Sequence, residues 1–328
     1  MKRTSLLLLA TLPLVAAAGE DAELRKKAGE IFGRVEAPAN AKLATPEVEL
    51  GRALFWDTRV SLDGKTACAS CHPAADFGAD RRRGSVDARG DVTPRNSPTI
   101  FNSMSLPGLR WLSDRKTGAE QAEGSMTGSM GFKTKDDAVA KLVELKYEGA
   151  FKAAYPGEAN PLNAKNYGRA LAAYQATLVT PAPFERFLAG EDRALTERQK
   201  VGLRTFIDLG CAACHNGPMV GGLQLRKFGQ VKDYWTETGS PKPDVGRFSM
   251  TKKEEDRYVF RVATLRNVAR TAPYFHDGSV DTLERAVRIM AAVQLGRTLD
   301  DNQVSLLTAF LESLTGSVPE HYAPPTRR

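Results

Sequence analysis

The 328 residues include 46 Lys and Arg against 39 Asp and Glu, with 42% hydrophobic and 26% charged residues. A length of this order suits two domains of about 150 residues each. Without Lys2 and Arg3 at the extreme N-terminus, 44 basic residues face 39 acidic ones. That net charge of +5 is too mild to indicate a polyanionic partner, and "RRR" at 81–83, with no aromatic interleaving, reads as a solvated loop and not a nucleic-acid site.

In chain order, Lys2 and Arg3 precede an apolar run from Leu6 to Ala18 that ends in small residues, which predicts a signal peptide over residues 1–18 and an exported protein. No later segment approaches the length of a membrane span. The rest reads as mainly α, with long irregular loops and little strand. "TPEVELGRALFWD" (45–57) offers Thr45 as N-cap and Pro46 at the first helical position. Residues 136–157 read as a helix stopped by Tyr155-Pro156-Gly157, and 166–179 as another, broken by "TPAP" at 180–183, where we expect the domain boundary: 19–181 and 182–328. "TERQ" at 196–199 is a capping box opening a helix through Leu209. The glycine-rich 219–246 suits a loop around a cofactor, and 257–268 has strand character. Residues 281–293 form an amphipathic helix with Asp281 and Glu284 as its cap and Leu283, Val287 and Met290 on one face. A last helix over 300–314, expected to pack back on the N-terminal domain, precedes a polar tail.

All four cysteines fall in two pentapeptides, "CASCH" (68–72) and "CAACH" (211–215), each expected near the end of a helix. A disulfide framework does not explain the adjacent histidines, and 139 intervening residues are too many for one zinc ribbon, whose knuckles lie roughly 15–20 apart. No βαβ setting supports a thioredoxin-type dithiol. C-x-x-C-H is the attachment signature of c-type haem: two thioethers hold the porphyrin and the following imidazole ligates the iron. Two such motifs predict two covalent haems.

Two irons have four axial positions. His72 and His215 take one each, and only His276 and His321 remain as histidines, the latter in the tail. Either methionines fill the other positions or one iron is open. Met290 is the strongest methionine candidate, with core packing as the alternative. His276 reads as a supporting residue near a haem edge.

The segments "GRALFWDTRVSLDGKTACASCH", "PRNSPTIFN", "GLRTFIDLGCAACHNG", "GRF", "YVFRVATLRNVARTAPYFHDGSV" and "AVRIMAAVQLG" occur here in the order in which similar ones occur in the bacterial di-haem cytochrome c peroxidases, which include the MauG-like proteins. The chain resembles that family over nearly its whole length after the leader. The resemblance implies two cytochrome c-like haem domains with unequal tasks. The haem at Cys211, Cys214 and His215, with Met290 as second ligand, would receive electrons from a small c-type cytochrome or a cupredoxin. The haem at Cys68, Cys71 and His72 would meet hydrogen peroxide. Trp111 matches a tryptophan between the haems, and Gln121 a polar residue of the peroxide pocket. Asn96, with the carbonyls of Thr271 and Pro273, matches an inter-haem calcium site of oxygen ligands. The family's members are often homodimers, so a homodimer is a further expectation, although the sequence carries no interface signature.

Two departures stand out. Where members of the family carry a histidine that caps the N-terminal iron, this chain has Ala88, and Met126 or Met130 is the available substitute. The family's acid–base glutamate aligns with Gly131, or with Ser129 across a one-residue gap, leaving Glu120 and Glu123 as the nearest carboxylates. A peroxidase is the leading expectation. A MauG-like oxidase acting on another molecule is disfavoured by methionine at 290, where that group has tyrosine, and a non-enzymatic electron carrier would need a methionine on the N-terminal iron.

Overall fold

The protein is described by a computed structural model covering residues 12–36, 39 and 43–326. Most of the predicted signal peptide, residues 1–11, lies outside the described residues; helix α1 (Leu12–Phe32) begins within the remainder. The chain then forms α2 (Pro46–Trp56), the short α3 (Cys68–Cys71), α4 (Gly118–Ser125), α5 (Lys135–Glu144), α6 (Glu148–Ala154) and α7 (Ala164–Ala176). After these come α8 (Pro183–Leu188), α9 (Glu197–Asp208), β1 (Leu225–Lys227), α10 (Tyr234–Thr238), α11 (Phe248–Thr251), β2 (Val259–Arg261), α12 (Leu283–Leu295) and α13 (Asp301–Glu312). The fold is mainly α, its one named sheet being the antiparallel pair β1–β2.

Helix starts follow local chemistry. Thr45 caps α2 by accepting from the Val48 N–H, with Pro46 at the first helical position. Thr196 and Gln199 close a reciprocal capping box on α9, and Asp300 and Gln303 do the same on α13. The cap of α12 is Thr282, not the Asp281–Glu284 pair expected, because the Thr282 hydroxyl is the group that accepts from the Arg285 N–H. The helix expected over 136–157 is two: the α5 chain reverses at Lys146, which adopts a left-handed conformation before α6 begins. The strand character of 257–268 is realised only over β2, and the glycine-rich 219–246 holds β1 and α10.

Glycines set the main helix crossings, Gly168 of α7 against Ala119 of α4 and two more. A β-carbon on Gly51 of α2 would stand 1.9 Å from the Ala170 carbonyl oxygen of α7, and one on Gly202 of α9 would stand 2.0 Å from that of Leu306 in α13. Backbones this close exclude any side chain, so hydrogen at these positions is what lets each helix pair meet.

Two large cores result. One gathers residues of 48–178, including Phe55, Phe101, Phe151, Tyr167 and Tyr174. The other gathers 184–220 and 291–314 around Phe184, Phe206 and Phe310. Each fully buried aromatic of this kind stabilises the fold by roughly 1.5–3 kcal/mol. Three expectations change here. Helix α1, assigned to the N-terminal domain, packs into the second core, where Phe32 meets the rings of Phe184, Phe206 and Phe310. Helix α13 does not pack back on the first core; its apolar face (Val304, Leu307, Phe310, Leu311) is used up against α9. The element that does cross is the tail: Tyr322 is buried in the first core, against Phe55, Trp56 and Phe101.

Candidate haem site

The loop before the first motif is tied down by Asp63, whose carboxylate accepts from the N–H groups of Lys65 and Thr66 and from the hydroxyls of Ser61 and Thr66. It delivers Cys68 into α3, which is itself the Cys68–Cys71 turn; eleven residues separate it from α2, so this motif does not sit at the end of a long helix as expected. His72 caps that turn. Its ring Nδ1 donates to the Gly78 carbonyl at 2.8 Å, which fixes the tautomer and leaves Nε2 with its lone pair. Burial holds the His72 imidazole below its ordinary pKa, so it is neutral and able to ligate.

The second motif repeats the arrangement. Three residues past the end of α9, Cys211–Ala213 form one 3-10 turn, and the His215 Nδ1 donates to the Ala263 carbonyl at 3.1 Å. Burial lowers the His215 pKa to about 4. All four cysteines are free, so neither pair is a disulfide. Burial pushes the Cys68 thiol up to about 12 and the Cys211 thiol to about 11, against the thiolate that zinc would need. Among the described residues no cluster of three or more His, Cys, Asp or Glu side chains is placed to hold a metal.

A cavity of about 570 Å³ opens on Cys68, Cys71 and His72. It is within the range of about 300–1,000 Å³ typical of cofactor sites. Its far walls come from the 85–115 segment, from α4 and the 128–130 loop, and from Arg261, Thr264 and Arg266 of the second half. Two thiols, a tautomer-fixed imidazole and enclosed space on one cavity fit a thioether-linked haem ligated by His72.

Of the predicted site residues, Gln121 and Trp111 line this cavity, and so does Asn96. The Trp111 indole N–H donates to the Asn96 carbonyl at 2.8 Å. Glu123 does not line it; its carboxylate pairs with Lys135, and Glu120 instead accepts from the Lys116 N–H at 2.8 Å. Ala88 is buried, with its N–H donating to Ser129, and Gly131 faces it in a left-handed conformation where a β-carbon would lie 3.1 Å from that of Ala88. A glutamate there would be strained by the left-handed backbone and would press its β-carbon on those of Ala88 and Leu62. Met126 is sealed in the first core away from the cavity, whereas Met130 lies on its wall.

Met290 is half-buried on α12, three positions after Val287, which packs against the same core as Cys211. The N–H of Asn96 donates to the His276 carbonyl at 2.8 Å, which brings Asn96 to the loop carrying Thr271 and Pro273. His276 is buried among Phe228, Tyr234 and Phe260, its ring 6.3 Å from that of Trp111.

Three cavity residues escaped the sequence reading. Asp114 presents a buried Oδ1 without a hydrogen-bond partner, Arg261 a buried Nη1 in the same condition, and Arg266 both its Nη atoms, although its guanidinium is ion-paired with Glu185. The available signal for the second was a lone arginine in the apolar run "YVFRVA".

A profile described as di-haem cytochrome c peroxidase matches residues 45–193. The chain is 43% identical over 274 residues to the cytochrome c551 peroxidase of Pseudomonas aeruginosa, covering 83% of this chain and 79% of that protein. It is 37% identical over 290 residues to the cytochrome c551 peroxidase of Nitrosomonas europaea, covering 88% and 84%. A solved MauG-like protein associated with microbial copper homeostasis superposes with a TM-score of 0.74 at 26% identity, over 89% of this chain and 97% of that one.

Proposed function

Because the chain belongs to the di-haem cytochrome c peroxidase family, whose members are peroxidase-type oxidoreductases bearing haem c, we propose that it reduces hydrogen peroxide to water in the periplasm. Its electrons come from a small c-type cytochrome or a cupredoxin. Each turnover takes one peroxide, two electrons and two protons to two waters. Haem supplies the redox iron. The protein's residues would supply the rest: Nε2 of His72 and of His215 would each hold an iron, and Met290 would serve the haem of the C-terminal domain, which begins at residue 182. Gln121 orients peroxide in the cavity. With Gly131 and Ser129 in place of a glutamate, Asp114 becomes the carboxylate that moves the proton between the peroxide oxygens. Trp111 bridges the domains, and Asn96 with the Thr271 and Pro273 carbonyls would hold Ca2+.

The observation that supports this reading most is the composition of the cavity wall. Among the residues lining it His72 is the one histidine; Ala88, where a capping ligand is expected, lies behind that wall, its N–H tied to the carbonyl of the lining residue Ser129 and its side chain unable to ligate. Steady-state assay tests it: two equivalents of reduced cytochrome consumed per peroxide support a peroxidase, and peroxide-independent or absent consumption contradicts it. A second reading, an electron carrier, draws on Met130 at the cavity wall. It requires a methionine-type charge-transfer band from both haems and no peroxide turnover.

A further inference from the structure

The charges around the cavity pair off with one left over. Asp87 and Asp91 are both held by Arg89, Asp114 by Arg110 and Arg115, Arg95 by Asp244, and Arg266 by Glu185 at 2.5 Å. Arg261, at the end of β2 and 5% exposed, has no such partner among the described residues. Its Nε donates to the Arg110 carbonyl at 3.0 Å and its backbone N–H to the Trp111 carbonyl at 2.7 Å, which fixes the guanidinium at the cavity wall. Nη1 is then left buried and without an acceptor. A fixed, desolvated cation with no counter-charge is strongly unfavourable unless an anion arrives to meet it. Arginine's planar fork suits a carboxylate.

We propose that Nη1 of Arg261 binds a propionate carboxylate of the haem attached at Cys68 and Cys71, so that a residue of the second half neutralises a charge on the cofactor carried by the first. This rests on the haem being seated in that cavity. Because the cation lies beside the porphyrin, it also favours the reduced iron and raises that haem's potential over what the first half alone would give.

The test uses the haem-loaded protein, with haem content measured first by pyridine haemochrome and each midpoint potential then followed spectroelectrochemically. Arg261→Gln is expected to shift one haem's ferric/ferrous equilibrium at least tenfold toward ferric, 59 mV for one electron, leaving the other unchanged, and Arg261→Lys to restore most of the difference. Arg261→Met is expected to lower the thermal midpoint by stranding a propionate; a raised midpoint would mean the charge was merely unpaired and would overturn the proposal. Unchanged potentials in a fully loaded Arg261→Gln variant overturn it too. So does a wild-type potential that follows chloride or phosphate concentration, the mark of an exchanging anion. Wild-type protein lacking haem at Cys68 and Cys71 would instead defeat the seating, and the proposal with it.

Discussion

The phenol of Tyr322 donates a hydrogen bond to the backbone carbonyl of His72, 250 residues upstream, closing the tail over the first haem-binding motif. Its ring is stacked on Tyr174 and edge-on to Phe55 and Phe101. Tyr322→Phe keeps the packing and loses the bond, for an expected cost of about 1 kcal/mol. Tyr322→Ala opens a cavity as well and should cost about 3–5 kcal/mol. Denaturant unfolding of both variants, with the His72 haem band as one probe, checks the difference.

The glycine crossings make a second pair of expectations. Gly202→Ala drives a methyl into the Leu306 carbonyl and should destabilise the second core by about 1–3 kcal/mol. Gly149→Ala, in α6 with open space around it, should stabilise by roughly 0.5–1 kcal/mol. Thermal melts of the two proteins should move in opposite directions.

Much of this was legible in the sequence because it rests on local rules. Thr45 and Thr196 act within four residues of themselves, and the structure forms both caps as read; of the two C-x-x-C-H turns, the second follows a long helix as expected and the first does not. What was not legible depends on partners far away in the chain. Tyr322 looks like part of a polar tail until the aromatic pocket from residues 55, 101 and 174 is assembled. Glu123 looks like a pocket carboxylate until Lys135 is folded against it. Met130 and Met126 are alike in sequence, and only the turn between them decides that one lines the cavity. Arg261 is conspicuous only once every other cavity charge has found its partner.

Partial burial opposes ionisation of Asp63, but the N–H donors of Lys65 and Thr66 and the hydroxyls of Ser61 and Thr66 outweigh it and bring the pKa from 3.8 to about 2. The folded value lies below the unfolded one, so the stabilisation is complete above about pH 4 and is lost as pH falls toward 2. Asp63→Asn should therefore be less stable than wild type at pH 7, with the gap closing between pH 4 and 2. Unfolding free energies measured across that window check this.

Asp114 and Glu123 divide the acid–base question. Asp114→Asn should lower kcat/KM for peroxide by about 100-fold, the order expected for loss of a proton-transfer group. Glu123→Gln, which breaks only a largely exposed pair with Lys135, should leave kcat/KM within about twofold and stability within about 1 kcal/mol. Steady-state kinetics on haem-loaded variants separate the two; the reverse pattern would return the role to Glu123.

The most direct measurement is peroxide titration of the fully oxidised, two-haem protein, followed optically with no reductant present. With Ala88 in the capping position, the spectrum of the haem at Cys68 and Cys71 should change at once, at one equivalent of peroxide. No change until the other haem has been reduced would mean that a protein ligand closes that iron, contradicting the account.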